Sequence, residues 1–325
     1  MTDFFLGIGL NILLACVGFF VLIKSADFFV DGAASVARNF KISTTVVGLT
    51  IVAFGTSAPE LAISFSSHIS GNADILFGNV IGSNITNILV ILGAAILIKP
   101  FEVSKSVVKI EIPILMLVTI GMAVLLLDNL FYASKPNVLT RTDGIMLLLL
   151  FSVFVFYLIT IISNKSSVTI DDMPPKYTIV KAVIATVLGL LGIILGSELV
   201  VSNAVTLAVG IGISQKIISV TIISIGTSLP ELATVLTATR KGENSIAIGS
   251  MIGSNIFNTC IVLGLPIVFL GGIETQVFGL IDMAFMVFTL FLLWMFSFTK
   301  YALERHEGAI FLGIYALYLV YIFLQ

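Results

Sequence analysis

Ten apolar stretches dominate this chain, and together they leave only one environment in which it can fold. They run over residues 4–30, 44–67, 75–98, 110–128, 143–163, 178–205, 217–238, 246–270, 277–297 and 308–324. Each is near or above the length of about 20 residues that a helix needs to cross a bilayer. In hydrocarbon the backbone must satisfy its own polar groups, so a span is a helix or part of a closed barrel. These runs lack the alternation of barrel strands, which predicts helices. With 58% hydrophobic and 10% charged residues, against about 25% charged in a soluble domain, the chain cannot coat itself for water. The expected fold is therefore an all-α polytopic membrane protein of ten transmembrane helices, with the lipid bilayer as its main surroundings. A net charge of −2 without a basic patch excludes a nucleic-acid partner. Cys16 and Cys260 lie in separate apolar runs and predict neither a disulfide nor a metal pair. The N-terminus lacks the basic region of a signal peptide, so the first run is expected to remain as a helix.

The chain repeats itself. A shift of 171 residues lays GTSAPELA (55–62) on GTSLPELA (226–233) and GNVIGSNITN (78–87) on GSMIGSNIFN (249–258). It also pairs Gly18 with Gly189, Asp27 with Glu198 and Glu111 with Asp282. Asp143-Gly144 matches Glu307-Gly308 after a seven-residue shortening. The expected units are two five-helix repeats, 1–165 and 166–325. Five is odd, so the second repeat enters the membrane from the opposite side. Of the 16 lysines and arginines, thirteen fall on the side of the 1–2, 3–4, 5–6, 7–8 and 9–10 links, and only Lys135, Arg141 and Lys216 on the other. The positive-inside rule then predicts a cell-membrane protein with both termini outside and the 164–177 link in the cytoplasm. Inverted repeats that share a midplane site are a transporter architecture.

Ala53, Thr56, Ser57 and Glu60 recur at i, i+3, i+4 and i+7 and share one helix face, and Ser224, Thr227, Ser228 and Glu231 repeat the pattern. Pro59 and Pro230 have no N–H, which is expected to kink both helices and to free the carbonyls of Gly55 and Gly226. Ser83 with Asn87, and Ser254 with Asn258, stand one turn apart in the following helices. Gly78, Gly82, Gly249 and Gly253 are expected to let those helices approach closely. Carboxylates, amides, hydroxyls and carbonyls together suit a hard cation, which takes six to eight oxygens when it is Ca²⁺. A lone membrane carboxylate is also a structural hydrogen-bond partner or a neutral acid, but two at matched positions beside duplicated prolines point to function. The hydroxyls alone are weak signals, since they back-bond to their own helices. Gly192 and Gly196 read as packing, His68 and His306 as solvated ends, and Asp27/Glu198 and Glu111/Asp282 as caps, gates or solvated groups.

GTSAPE with GNVIGSNITN, and GTSLPE with GSMIGSNIFN, resemble the two alpha-repeat signatures of the calcium/cation antiporter (sodium/calcium exchanger) family in its compact ten-helix form. The resemblance spans nearly the whole chain. It implies that Glu60 and Glu231 hold Ca²⁺ and share their site with Na⁺, with Thr56, Ser57, Ser83, Asn87, Thr227, Ser228, Ser254 and Asn258 as further ligands. It implies that Ala53 and Ser224 act through their carbonyls, and that the first and sixth helices slide across the rest during transport. Asn258 departs from several relatives, K⁺-dependent ones among them, that carry Asp there. That departure argues against K⁺ co-transport.

These readings lead to a secondary antiporter that exchanges Ca²⁺ for Na⁺ by alternating access, without a cofactor and without enzymatic chemistry. Exchange of Ca²⁺ for H⁺ stays open, because both glutamates can carry protons. A cation channel also needs membrane carboxylates, though one usually repeated around a symmetric pore. A membrane enzyme has no nucleophile–base pair, metal cluster or phosphate loop here. Oligomeric state is left open. The charge bias makes a direct prediction: in a variant lacking Cys16 and Cys260, a single cysteine at position 170 is labelled only from the cytoplasm. Labelling by an impermeant reagent outside intact cells contradicts the orientation.

Overall fold

The structure, a computed structural model, describes residues 2–127, 137–163, 174–210, 224–275 and 279–324. In chain order, α1 (Thr2–Phe40) precedes a broken helix α2 with halves Thr44–Thr56 and Ala58–Ile69, then α3 (Ala73–Ile98), α4 (Val107–Leu126) and α5 (Arg141–Ser163). The second half holds α6 (Ile179–Gly210), a broken α7 (Ser224–Thr227 and Leu229–Lys241), α8 (Asn244–Leu270), α9 (Leu280–Lys300) and α10 (Arg305–Leu324). Among the described residues, seven helices are long and apolar enough to cross a membrane, and α2 makes eight if its halves form one span. The chain is a helical, polytopic membrane protein. The start of the expected 217–238 span lies outside the described residues, as do Lys135, Lys165, Asp171, Asp172 and Lys216. Helix α10 opens on Arg305, His306 and Glu307, which shortens its apolar stretch.

Local geometry follows the sequence duplication. The expected kinks are full breaks: Ser57 (φ −86°, ψ 6°) and Ser228 (φ −89°, ψ 5°) leave the helical region, and the halves of α2 bend by 44°. Pro59 and Pro230 then fall in the first turn of the second half-helices, where a missing N–H costs nothing. Single π-helical turns sit at Asn87–Leu92 in α3 and at the matching Asn258–Val262 in α8. The turns after α2 and α7 use Gly71 (φ 69°) and Gly242 (φ 79°), a left-handed conformation that a Cβ disfavours. Two short antiparallel pairs tie the links together: β1 (Phe101–Glu102) with β4 (Ala302–Leu303), and β2 (Asn137–Leu139) with β3 (Ile273–Thr275). At matching places, Asp143 accepts from the Thr140 N–H at 2.7 Å and Glu307 from the Glu304 N–H at 2.7 Å.

Burial separates a centre from a periphery. In α3 and α8, 67% and 78% of the apolar stretch is buried, against 11% in α1 and 17% in α5. The outer helices present side chains such as Phe20, Phe28, Phe156 and Leu195 outward, as lipid contact requires. Helices α1 and α6 lie against each other backbone to backbone. A Cβ at Gly189 would stand 2.6 Å from the Phe29 nitrogen, one at Gly196 2.7 Å from the Leu22 nitrogen, and one at Gly32 2.6 Å from the Thr186 nitrogen. Gly192 and Gly196 are thus packing residues, as expected. Gly249 and Gly253 likewise press α8 onto α2, with Cβ positions 2.6 Å from the carbonyls of Thr45 and Leu49. Gly82 differs: among the described residues nothing lies within 4 Å of its Cβ position.

Small residues provide a packing force that lipid cannot, because apolar side chains gain little by leaving hydrocarbon for protein. Gly189→Ala should therefore lower the thermal unfolding midpoint of the detergent-purified protein, with overpacking costs of roughly 1–3 kcal/mol. Gly313→Ala, at a helix position where no other described part of the chain comes within 4 Å of the added Cβ, should leave the midpoint unchanged or raise it. A thermal-shift assay on both variants checks the contrast.

Candidate ion-binding site

The two helix breaks put Glu60 and Glu231 in the first turns of half-helices, where unpaired backbone N–H groups favour negative charge. Both residues are 1% exposed. Among the described residues neither forms an ion pair. Glu231 Oε1 accepts from the Ser57 hydroxyl at 3.1 Å, a contact that joins the two halves of the chain. Among the described residues, Glu231 Oε2 and both Glu60 oxygens have no hydrogen-bond partner. An uncompensated buried carboxylate costs on the order of several kcal/mol, a cost that a bound cation or a proton relieves.

The neighbouring residues add neutral oxygen. Thr56 and Ser57 are fully buried, Ser83, Asn87, Ser228, Ser254 and Asn258 are buried, and Thr227 is half-buried. The half-helix carrying Glu60 packs against the π-turn that begins at Asn258, and the one carrying Glu231 against the π-turn that begins at Asn87. Asn87 Oδ1, Asn258 Oδ1, Ser228 Oγ and Ser254 Oγ are all buried without a hydrogen-bond partner among the described residues. Three expected residues are committed elsewhere. Thr56 Oγ1 donates to its own helix, to Val52 O at 3.1 Å and Ala53 O at 3.4 Å. The Ala53 carbonyl also takes the Ser57 N–H at 3.1 Å. Ser83 donates to Val80 O at 3.2 Å and accepts from Asn258 Nδ2 at 3.1 Å. Ser224 lies in the short first half of α7, with its side chain outside the described residues.

The freed carbonyls differ from expectation too. Gly226 O receives the Ser197 hydroxyl of α6 at 3.1 Å, so protein rather than an ion satisfies it. The matching position in α1 is Ala26, which has no hydroxyl to offer Gly55. Sequence reasoning also passed over Asn79, which donates to Glu60 O at 3.0 Å and Ser64 Oγ at 3.2 Å. It passed over the amides of Asn84 and Asn255 as well, 1% exposed at the centre of the protein. Their signal was available, since both stand inside the duplicated GSN motifs. Of the outlying acids, Asp282 caps the start of α9 at the Gly279 N–H (3.2 Å), while Glu111 is buried and accepts from Tyr157 OH at 2.6 Å. Asp27 shares Lys241 with Asp31 at distances of 3.3 Å and 2.8 Å.

This chain is similar over most of its length to known membrane antiporters. The family described as sodium/calcium exchanger protein matches residues 10–160 and 181–324. The putative antiporter CaxA of Alkalimonas amylolytica is 43% identical over 266 residues, 79% of this chain and 80% of that one. The sodium/calcium exchanger MaX1 of Methanosarcina acetivorans is 30% identical over 347 residues, 97% of this chain and 99% of its own. Among solved structures, the sodium-calcium exchanger NCX_Mj soaked with 100 mM Na⁺ and 10 mM Sr²⁺ superposes with a TM-score of 0.83 at 30% identity, covering 96% of this chain and 98% of that one. With the duplicated glutamates, the broken helices and these matches in hand, the chain belongs to the sodium/calcium exchanger protein family.

Proposed function

We propose that this protein exchanges Ca²⁺ for Na⁺ across the cell membrane by alternating access, with Glu60 and Glu231 as the shared charged ligands. The observation that carries the reading is the set of buried, unpartnered oxygens: both on Glu60, one on Glu231, and those of Asn87, Asn258, Ser228 and Ser254. Among the described residues that set has no protein donor, and the two glutamates give it two formal negative charges, which balance one Ca²⁺ or two Na⁺. Membership of an exchanger family supports cation antiport and gives no reason to expect enzymatic chemistry. Thr56, Ser57, Thr227 and the carbonyls of Ala53 and Ser224 complete the proposed ligand set. A third Na⁺ would leave the loaded site net positive and make transport electrogenic.

The proposed architecture is ten spans in two inverted repeats, 1–165 and 166–325, with both termini outside. Link pairing supports it. β1 joins β4 across six intervening helices and β2 joins β3 across four, as spans that each cross once require. Matched links such as β1 and β3 are separated by five helices, and so fall on opposite faces. In this arrangement α1 and α6, the peripheral glycine-packed pair, are the elements that move against the rest.

In sealed proteoliposomes, Glu60→Gln and Glu231→Gln should each abolish ⁴⁵Ca²⁺ uptake while the proteins remain folded and monodisperse. Near-normal uptake by either variant sinks the assignment. In the parent, an outward Na⁺ gradient should drive uptake, and K⁺ should be dispensable because Asn87 and Asn258 are neutral. Uptake that follows an imposed H⁺ gradient and ignores Na⁺ makes the protein an H⁺/Ca²⁺ exchanger instead.

A further inference from the structure

An asparagine ligand has a weakness that an aspartate lacks: one end of its amide is an oxygen and the other an NH₂ that repels a cation. Amide orientation is set by the surrounding hydrogen bonds, and here those bonds begin at groups whose polarity is fixed. The Asn84 backbone carbonyl can only accept, so Asn255 must turn its Nδ2 toward it, at 3.1 Å. Asn255 Oδ1 then faces Asn87 as an acceptor and takes Asn87 Nδ2 at 2.9 Å, which leaves Asn87 Oδ1 without a partner. A second chain starts at the Val80 carbonyl, which receives the Ser83 hydroxyl at 3.2 Å. Having spent its proton, Ser83 Oγ accepts Asn258 Nδ2 at 3.1 Å, which leaves Asn258 Oδ1 without a partner.

We propose that Asn255 and Ser83 are positioning residues that fix which end of the Asn87 and Asn258 amides is offered to the ion. Each acts on the opposite repeat: Asn255, of the second, orients Asn87, and Ser83, of the first, orients Asn258. Both relays run between buried residues, so water does not compete for the donors. Reversing Asn87 would set its oxygen against Asn255 Oδ1, and reversing Asn258 would oblige Ser83 to give up Val80 O and turn its one proton to the amide. Ser83 is thereby an orienting group rather than a ligand. The inference rests on the ion-site reading above and adds to it the device by which two neutral amides keep their oxygens pointed at the cargo.

The test is a pair of mutational cycles read by ⁴⁵Ca²⁺ uptake into proteoliposomes, recording half-saturating Ca²⁺ separately from maximal rate. Asn255→Leu, which removes the relay at similar volume, should raise half-saturating Ca²⁺ about tenfold or more, equivalent to about 1.4 kcal/mol. In an Asn87→Asp background the same change should cost nothing or restore affinity, because a carboxylate offers oxygen at both ends. Ser83→Ala, small enough to preserve the fold if Asn255→Leu does not, should likewise weaken Ca²⁺ binding beside Asn258 and have no effect beside Asn258→Asp. Equal fold-losses in both backgrounds overturn the proposal, since a packing role or direct ligation by Ser83 is indifferent to which end of its neighbour is oxygen. Glu231→Gln run in parallel separates the two failures. If that variant transports normally the ion-site reading falls, whereas its inactivity alongside additive cycles removes the relay alone.

Discussion

A carboxylate in hydrocarbon needs donors or a positive charge, and Glu60 and Glu231 find few of either within the protein. Among the described residues, the Ser57 hydroxyl donates to one oxygen of Glu231 at 3.1 Å. Much of the architecture follows from keeping such a pair in place. The helix breaks at Ser57 and Ser228 give each carboxylate a half-helix N-terminus, whose partial positive charge helps to hold the anion. The backbone groups exposed by those breaks must then be covered, and Ser197 on Gly226 and Asn79 on Glu60 do part of that work. Covering the breaks draws α3 and α8 against them, which makes these two the most buried long helices.

The remainder of the fold accommodates that centre. Glycines at α2–α8 and α1–α6 crossings let main chains touch, beside a core of large side chains such as Phe29, Phe77 and Phe311. At the link-rich end, Lys241 bridges Asp27 and Asp31, Lys176 reaches Asp31 at 2.6 Å, and Arg38 meets Glu243 at 2.8 Å. These pairs join α1 to the α7–α8 turn and to the start of the second half. Lys176 is 60% exposed, so its contact is of the surface kind that contributes about 0–1 kcal/mol. The Arg38–Glu243 pair, with side chains 8% and 15% exposed, is the more shielded tie.

Much of this was legible in the sequence because polar residues are rare in it. The 171-residue repeat, the carboxylates beside Pro59 and Pro230, and the small residues of α8 are all signals that stand out against an apolar background. What escaped depends on direction rather than identity. That Gly226 O would be covered by Ser197 could not be inferred from the repeat, since the matching residue is Ala26. The prolines predicted kinks, yet the chain breaks two residues earlier, at Ser57 and Ser228, because a proline is tolerated in a first helical turn. The π-turns at Asn87 and Asn258 have no local sequence rule, and the polarity of the Asn255 and Ser83 relays exists only once two repeats are packed together. Asn84 and Asn255 were visible as buried amides inside a duplicated motif.

The most direct test of the central claim is equilibrium Ca²⁺ binding to the purified protein, titrated with Na⁺ at constant pH and ionic strength. A single shared site built on Glu60 and Glu231 predicts one Ca²⁺ per chain, displaced by Na⁺ along a curve steeper than one-for-one competition, with Glu60→Gln and Glu231→Gln binding none. Ca²⁺ that stays bound as Na⁺ rises, with choline as the control for ionic strength, would contradict it.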